Sequence, residues 1–486
     1  MPDRLTPLDV SFLNQEDLAA PMHVGNIAVF EAPGLEYGRL VELVHERIAT
    51  VPRFRQRLLP VPGRLANPVW VDDTNFDIDF HVRRSALPRP GSLVQLRELA
   101  GRILSRQLDR SRPLWEVYLV EGLEDGRVAV LTKTHHALVD GARAVDVLSV
   151  ILDTGPESPA GQLASLRAWR PAPAPSGLQL VSDAISDTLR RPGELVDTVR
   201  LQFQDVRSLA NRAIGIAGGL LRTASRLVEG AAGASEGPLA ARAGGQHRRI
   251  ATVETELADY KRIRKAHGGT VNDAVLATLA GGLRAWLLTR GEPVTTKTTV
   301  RVLVPVTLST PQAVVEPGPE ETAATDSGPG MTAGPWGSGV GAYLLDLPVG
   351  EPNPVVRLHQ ISYRMKAHSD TGRAVGAEAL VHLSGFAPST LHTLGARVAM
   401  GLSRRLYNLA VTNVPGPQAP LYAAGVRLLQ VYPVVPLAPG QAVSVGVTSY
   451  DGGVYYGLNA DLDAMPDADI LAQCLAESLA ELLEAT

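Results

Sequence analysis

The stretch Thr134-His135-His136-Ala137-Leu138-Val139-Asp140-Gly141 decides how this chain is read. Residues 127–134, leading into it, are rich in β-forming side chains and predict a buried strand. Residues 142–152, just beyond it, place Val145, Leu148 and Ile151 at helical spacing and predict an amphipathic helix. Two histidines and an aspartate therefore fall where a strand gives way to a loop, a position from which a rigid scaffold commonly presents reactive groups. A histidine there is suited to take a proton from a hydroxyl near neutral pH, its unperturbed pKa being roughly 6.5.

Bulk properties narrow the possibilities. With 486 residues the chain exceeds one ordinary domain and predicts two or three cores. Its 45% hydrophobic and 20% charged content is that of a globular protein. The formal charge of −4 argues against nucleic acid as a partner, because phosphate backbones select basic domains. A single cysteine, Cys474, excludes an intramolecular disulfide and fits a reducing cytoplasm. The opening Met1-Pro2-Asp3-Arg4-Leu5-Thr6 lacks the basic start and apolar core of a signal peptide. No window reaches the roughly 18 apolar residues of a membrane span. The expectation is a cytoplasmic protein whose membrane contact is peripheral.

Periodicity divides the chain into three parts. Residues 1–153 predict an α/β lobe, with a strand at 24–31, a helix at 38–50, and Ser92 with Gln95 as a capping box for a helix bearing Leu96, Leu99, Ile103 and Leu108. Residues 154–246 begin as a proline-rich linker (Pro156, Pro159, Pro171, Pro173, Pro175) and turn helical from about 178 to 229. Val199, Phe203, Val206 and Ala210 line one helical face there. That face packs across the lobes or rests on lipid; Asp183, Asp187, Glu194, Asp197 and Asp205 dilute its basic character and leave both open. Gly233-Ala234-Ser235-Glu236-Gly237 matches the nucleophile-elbow pattern but lacks the strand and helix that pattern requires, so it carries no weight. Residues 247–486 predict a second α/β lobe, with helices at 256–265, 270–288 and 467–484 and strands at 300–306, 340–347, 442–449 and 453–460. Residues 311–338, rich in Pro, Gly, Glu and Thr, predict a mobile loop, and Asn413-Val414-Pro415-Gly416-Pro417 reads as a rigid turn.

HHxxxDG is the signature of acyltransferases with the chloramphenicol-acetyltransferase-like fold. The chain also carries Leu5-Thr6-Pro7-Leu8-Asp9-Val10-Ser11-Phe12-Leu13, Pro21-Met22-His23-Val24-Gly25, Pro52-Arg53-Phe54-Arg55-Gln56-Arg57, Arg112-Pro113-Leu114-Trp115-Glu116, Gly269-Thr270-Val271-Asn272-Asp273 and the Asn413–Pro417 block. In order and spacing these resemble the bacterial wax ester synthase/diacylglycerol acyltransferase family over most of the chain. The resemblance implies an α/β fold of two chloramphenicol-acetyltransferase-like lobes with the active site in a channel between them. It implies O-acyl transfer from acyl-CoA, a substrate and not a bound cofactor, to diacylglycerol or a long-chain alcohol. The partner surface it implies is a membrane or lipid droplet.

His136, the second histidine of the motif, carries over as the general base. His135, Asp140 and Gly141 carry over as its support: Asp140 tying the loop to an arginine, Gly141 permitting the tight exit into the next helix. Extended alternation places His135 and His136 on opposite sides, so His135 is expected to face away from the reacting hydroxyl. Asn272, Trp115 and Asn413 carry over as substrate-channel candidates. By residue type alone Asn272 is equally a helix-start residue and Trp115 reads more readily as core. No metal is expected, since consecutive histidines chelate poorly and no third-histidine motif accompanies them.

Two departures stand out. The family's VPVS-x-Arg block is Val304-Pro305-Val306-Thr307-Leu308-Ser309 here, without the arginine, and its Gly-Asn pair is Gly337-Ser338. They keep alive a catalytically weak lipid-surface protein, beside the other alternative of a condensation-type acyl enzyme on the same fold using a different acceptor.

Overall fold

The computed structural model describes residues 3–139, 146–157, 169–190, 238–240, 244–307, 340–370, 375–376 and 407–486. Two sheets organise them. The first has six strands in the order β12 (Tyr422–Ala423), β13 (Val426–Val434), β1 (His23–Phe30), β6 (Val128–His135), β5 (Trp115–Glu121) and β4 (Val82–Ala86). The second has seven, in the order β10 (Val375–Gly376), β9 (Val340–Leu347), β8 (Val300–Thr307), β11 (Leu409–Pro415), β14 (Val443–Tyr450), β15 (Gly453–Asp461) and β7 (Arg248–Glu256). A short antiparallel pair, β2 (Gln56–Leu59) with β3 (Val69–Asp72), stands apart. Each large sheet has its own apolar core.

Local sequence explains most of these elements. All eight residues of β6 are buried, as a central strand covered on both faces requires. Ser92 and Gln95 form the expected reciprocal cap, and helix Leu93–Leu104 buries Leu96, Ala100, Ile103 and Leu104. Thr270 and Asp273 form a second such cap at the start of helix Val271–Thr289. That helix is buried continuously from Asp273 to Leu283, because helices Pro354–Asp370 and Ala468–Glu484 both pack on it. Periodicity did not single out helix Pro354–Asp370. The turn expected at 413–417 is in part a strand: Asn413, Val414 and Pro415 belong to β11 and pair in parallel with β14, with Asn413 opposite Val447. Proline is tolerated there because β8 pairs with β11 only at Leu409 and Ala410, so Pro415 lies beyond the doubly paired part of the strand. No helix of the described residues is long and apolar enough to cross a membrane. The helical face around 199–210, the 233–237 match and the 311–338 segment lie outside the described residues.

The two sheets exchange chain. Residues 422–434, deep in the C-terminal half, pair into the first sheet, β13 running antiparallel to β1 with Tyr432 opposite Ile27. Leaving that sheet, the chain presses on the β14–β15 ladder. The Pro433 carbonyl sits over Gly446 and Gly457, which are cross-strand partners. Val435 then accepts hydrogen bonds from Ser444 Oγ and Asn459 Nδ2, both at 2.8 Å. Helix Leu93–Leu104 makes a second seam, where Ser105 Oγ accepts the Arg248 N–H at 2.9 Å and Arg97 donates to Thr252 Oγ1 at 3.3 Å.

A Cβ at Gly457 would stand 1.9 Å from the Pro433 oxygen, so side-chain movement alone cannot relieve the clash. Gly457→Ala is expected to destabilise the protein by at least about 1–3 kcal/mol, read as a lower urea midpoint at unchanged slope. An unchanged midpoint would contradict the crossing described.

Candidate active site

The histidine pair stands where β6 ends: His135 is the strand's last residue and His136 opens the short helix His136–Val139. Strand alternation therefore does not run across the pair. Both rings turn out to have neighbours on one N-terminal element, helix Pro7–Gln15 and its capping residue Glu16. The His136 imidazole lies flat against Phe12, ring centroids 4.1 Å apart and 17° from parallel. His135 Nε2 is 3.6 Å from Glu16 Oε2, one helical turn beyond Phe12. The Ala137 N–H donates to His135 Nδ1 at 3.0 Å, so the His135 proton sits on Nε2, facing Glu16.

The surroundings are dry. Thr134 and His135 have no exposed surface and His136 keeps 3% of its own. Burial, with His135 beside it, pushes the His136 imidazole down to about 3, against a hydrogen bond to its own backbone. His136 is thus neutral at physiological pH, which is the form that accepts a proton. Its N–H donates to the Met22 carbonyl at 2.8 Å. His23, directly opposite His135 on β1, is also held neutral: burial and nearby Lys133 push it down to about 3, and its Nε2 bonds the Leu104 carbonyl at 2.7 Å. Lys133 donates to the Ile103 carbonyl at 3.3 Å and to that of Arg106. The C-terminal carbonyls of helix Leu93–Leu104, which have no partner inside the helix, are thereby satisfied from the strand ends that carry the histidines.

Glu16 has no motif of its own and escaped sequence reading. Burial alone would raise its carboxyl, but His135 and Arg110 outweigh that and hold it at about 2. Arg110 donates to Glu16 Oε2 from Nε at 3.2 Å and from Nη2 at 2.7 Å. Asp146, also unremarked in the sequence, accepts from Asn26 Nδ2, and burial pushes it up to about 6.

The remaining candidates fall in separate places. Asn413 Nδ2 donates to Asn272 Oδ1 at 2.9 Å, joining β11 to the first turn of helix Val271–Thr289. Asp273 beside it is committed to the helix cap. Trp115 is wholly buried in the first core, its indole N–H bonded to the Phe54 carbonyl at 2.8 Å and its ring stacked on His81. Asp140, Gly141, Ser309 and Ser338 lie outside the described residues. At the seam between helix Leu93–Leu104 and β7, a cavity of about 320 Å³ is lined by Arg97, Arg102, Arg248 and Arg249, set against Glu98 and Asp469.

Comparison with known proteins agrees with this architecture. Residues 5–275 match the wax ester synthase/diacylglycerol acyltransferase catalytic domain, and residues 336–483 match the WS/DGAT C-terminal domain. The chain is 32% identical over 483 residues to the probable diacylglycerol O-acyltransferase tgs1 of Mycobacterium tuberculosis (strain ATCC 25618 / H37Rv), covering 99% of this chain and 96% of that one. It is equally 32% identical over 488 residues to tgs2 of the same strain, covering 99% of each. In structure it superimposes on a wax ester synthase/diacylglycerol acyltransferase from Marinobacter aquaeolei VT8 with a TM-score of 0.64 and 26% identity, covering 99% of this chain and 98% of that one. The first condensation domain of the calcium-dependent antibiotic synthetase shares the fold, with a TM-score of 0.56 at 15% identity, covering 99% of this chain and 96% of that one. The chain is an acyltransferase and belongs to the wax ester synthase/diacylglycerol acyltransferase family.

Proposed function

We propose that this enzyme transfers a fatty acyl group from acyl-CoA to the free hydroxyl of diacylglycerol, giving triacylglycerol and CoA, and to long-chain alcohols, giving wax esters. The observation that carries the proposal is His136, a buried, neutral imidazole at a strand end in a chain of this family. In this reading His136 takes the proton of the acceptor hydroxyl as its oxygen attacks the thioester carbonyl. The tetrahedral intermediate then collapses, the C–S bond breaks, and the imidazolium returns the proton to the departing CoA sulfur. A thioester is already activated, so neither an acyl-enzyme nor a further cofactor is called for.

One other feature supports the assignment. Asn272 has its oxygen engaged by Asn413, so the amide's contribution to a ligand is its N–H, the kind of donor that stabilises a developing oxyanion. Condensation chemistry on a carrier-bound acceptor finds no comparable support: that likeness is one of fold.

His136→Ala is expected to reduce ester formation from labelled palmitoyl-CoA by roughly a hundredfold or more, with dioleoylglycerol or hexadecanol as acceptor, while the melting temperature stays near that of the parent. A folded variant retaining most of its turnover would overturn the general-base assignment.

The products are insoluble in water, so their release beside a lipid surface avoids exposing new apolar area, and we take the enzyme to work there as a peripheral protein of the cytoplasm. Changing Val199, Phe203 and Val206 together to Ser should shift the protein from lipid-droplet and membrane fractions to the soluble fraction. A triple variant that stays lipid-bound at full stability would contradict this use of that face.

A further inference from the structure

We propose that Glu16 is a positioning residue for acyl transfer, one carboxylate that holds both the His135 ring and the main chain of His136 in register. The inference rests on the assignment of His136 as base. Glu16 caps helix Pro7–Gln15, and its N–H is bonded to the Phe12 carbonyl at 3.1 Å, so the carboxylate and the ring stacked on His136 are carried on one helix end. Its side chain is 1% exposed.

Each carboxylate oxygen has a separate task. Oε1 accepts the Met22 N–H at 3.3 Å, and the Met22 carbonyl in turn accepts the His136 N–H at 2.8 Å. Oε2 faces the proton on His135 Nε2 at 3.6 Å and is anchored by Arg110, whose Nη2 also donates to the Leu13 carbonyl at 2.8 Å. Arg110 therefore ties the carboxylate back to the helix that carries Phe12. Glu16 touches no reacting atom in this arrangement. It acts through Met22 on the backbone of the base and through His135 on the adjoining turn, the logic by which a third group orients a catalytic imidazole.

The groups around Glu16 are all donors: the Met22 N–H on one side, Arg110 and the His135 Nε2–H on the other. A carboxylate satisfies both sides at once. Glutamine, the same shape, must turn its own NH2 toward one of them. Glu16→Gln is therefore expected to lower kcat by roughly ten- to a hundredfold while the KM values for palmitoyl-CoA and dioleoylglycerol stay within about twofold, because the bound state is retained and the attack geometry is not. In 15N spectra of histidine-labelled protein, His135 should be the Nε2–H tautomer in the parent and a mixture in the variant. If Glu16→Gln does not fold, the same readouts apply to Glu16→Asp, which keeps the charge but is too short to reach both sides.

A folded Glu16 variant with the parent's kcat and an unchanged His135 tautomer would overturn the proposal, as would a lowered melting temperature with no change in kcat. His136→Ala run alongside separates the two assignments. An active His136→Ala overturns the general-base assignment and this one with it; an inactive His136→Ala beside a fully active Glu16→Gln overturns this one alone.

Discussion

The organising constraint of this molecule is the exclusion of water from the end of β6. Thr134, His135 and His136 are buried there together, so none of their polar groups is offered bulk solvent. Burying such groups is unfavourable unless each finds a partner, and a charge would be costlier still. Main chain meets part of that demand: the Met22 carbonyl for the His136 amide, the Ala137 amide for the His135 ring, and the last carbonyls of helix Leu93–Leu104 for His23 and Lys133. Burial keeps the His23 and His136 imidazoles neutral, against the hydrogen bonds they make. Only the uncharged form of an imidazole can accept a proton, and His136 is in that form.

The same helix end links the site to the second lobe. Leu104 holds His23, and the next residue, Ser105, holds the amide of Arg248 at the start of β7. On the far edge, β13 is donated to the first sheet and then braced by Val435 against β14 and β15. Each lobe is thus tied to the other through backbone groups at both of these places. Polar side chains (Ser105, Ser444 and Asn459) meet that backbone, and at the second place the close approach also needs the absence of a side chain at Gly446 and Gly457.

Much of this was legible in the sequence because it depends on near neighbours. The capping box at Ser92, the helix opening at Thr270 and the buried strand before His135 are local patterns, and the structure has each within a residue or two of its expected place. The family was legible from ordered blocks along the chain. Long-range choices were not. Alternation in 426–434 cannot say which sheet a strand will join, and proline and glycine in 413–417 suggested a turn where parallel pairing with β14 extends β11 through Pro415. The rule that neighbours on a strand diverge does not extend to His135 and His136, because the strand stops between them. Glu16 was invisible because a single acidic residue after a helix has no signature; its importance arises only when Met22, Arg110 and His135 converge on it.

The central claim is that burial keeps His136 uncharged well below the pH at which a histidine in water takes a proton. The direct measurement is an NMR titration of the His136 ring carbon and nitrogen resonances, assigned by comparison with His136→Ala, between pH 8 and the acid limit of folding. Its lowered proton affinity, at about 3, predicts shifts that stay in the neutral range through pH 5, with protonation only as the fold is lost to acid. A titration in the folded protein with a midpoint near the ordinary value of roughly 6.5 would contradict the account.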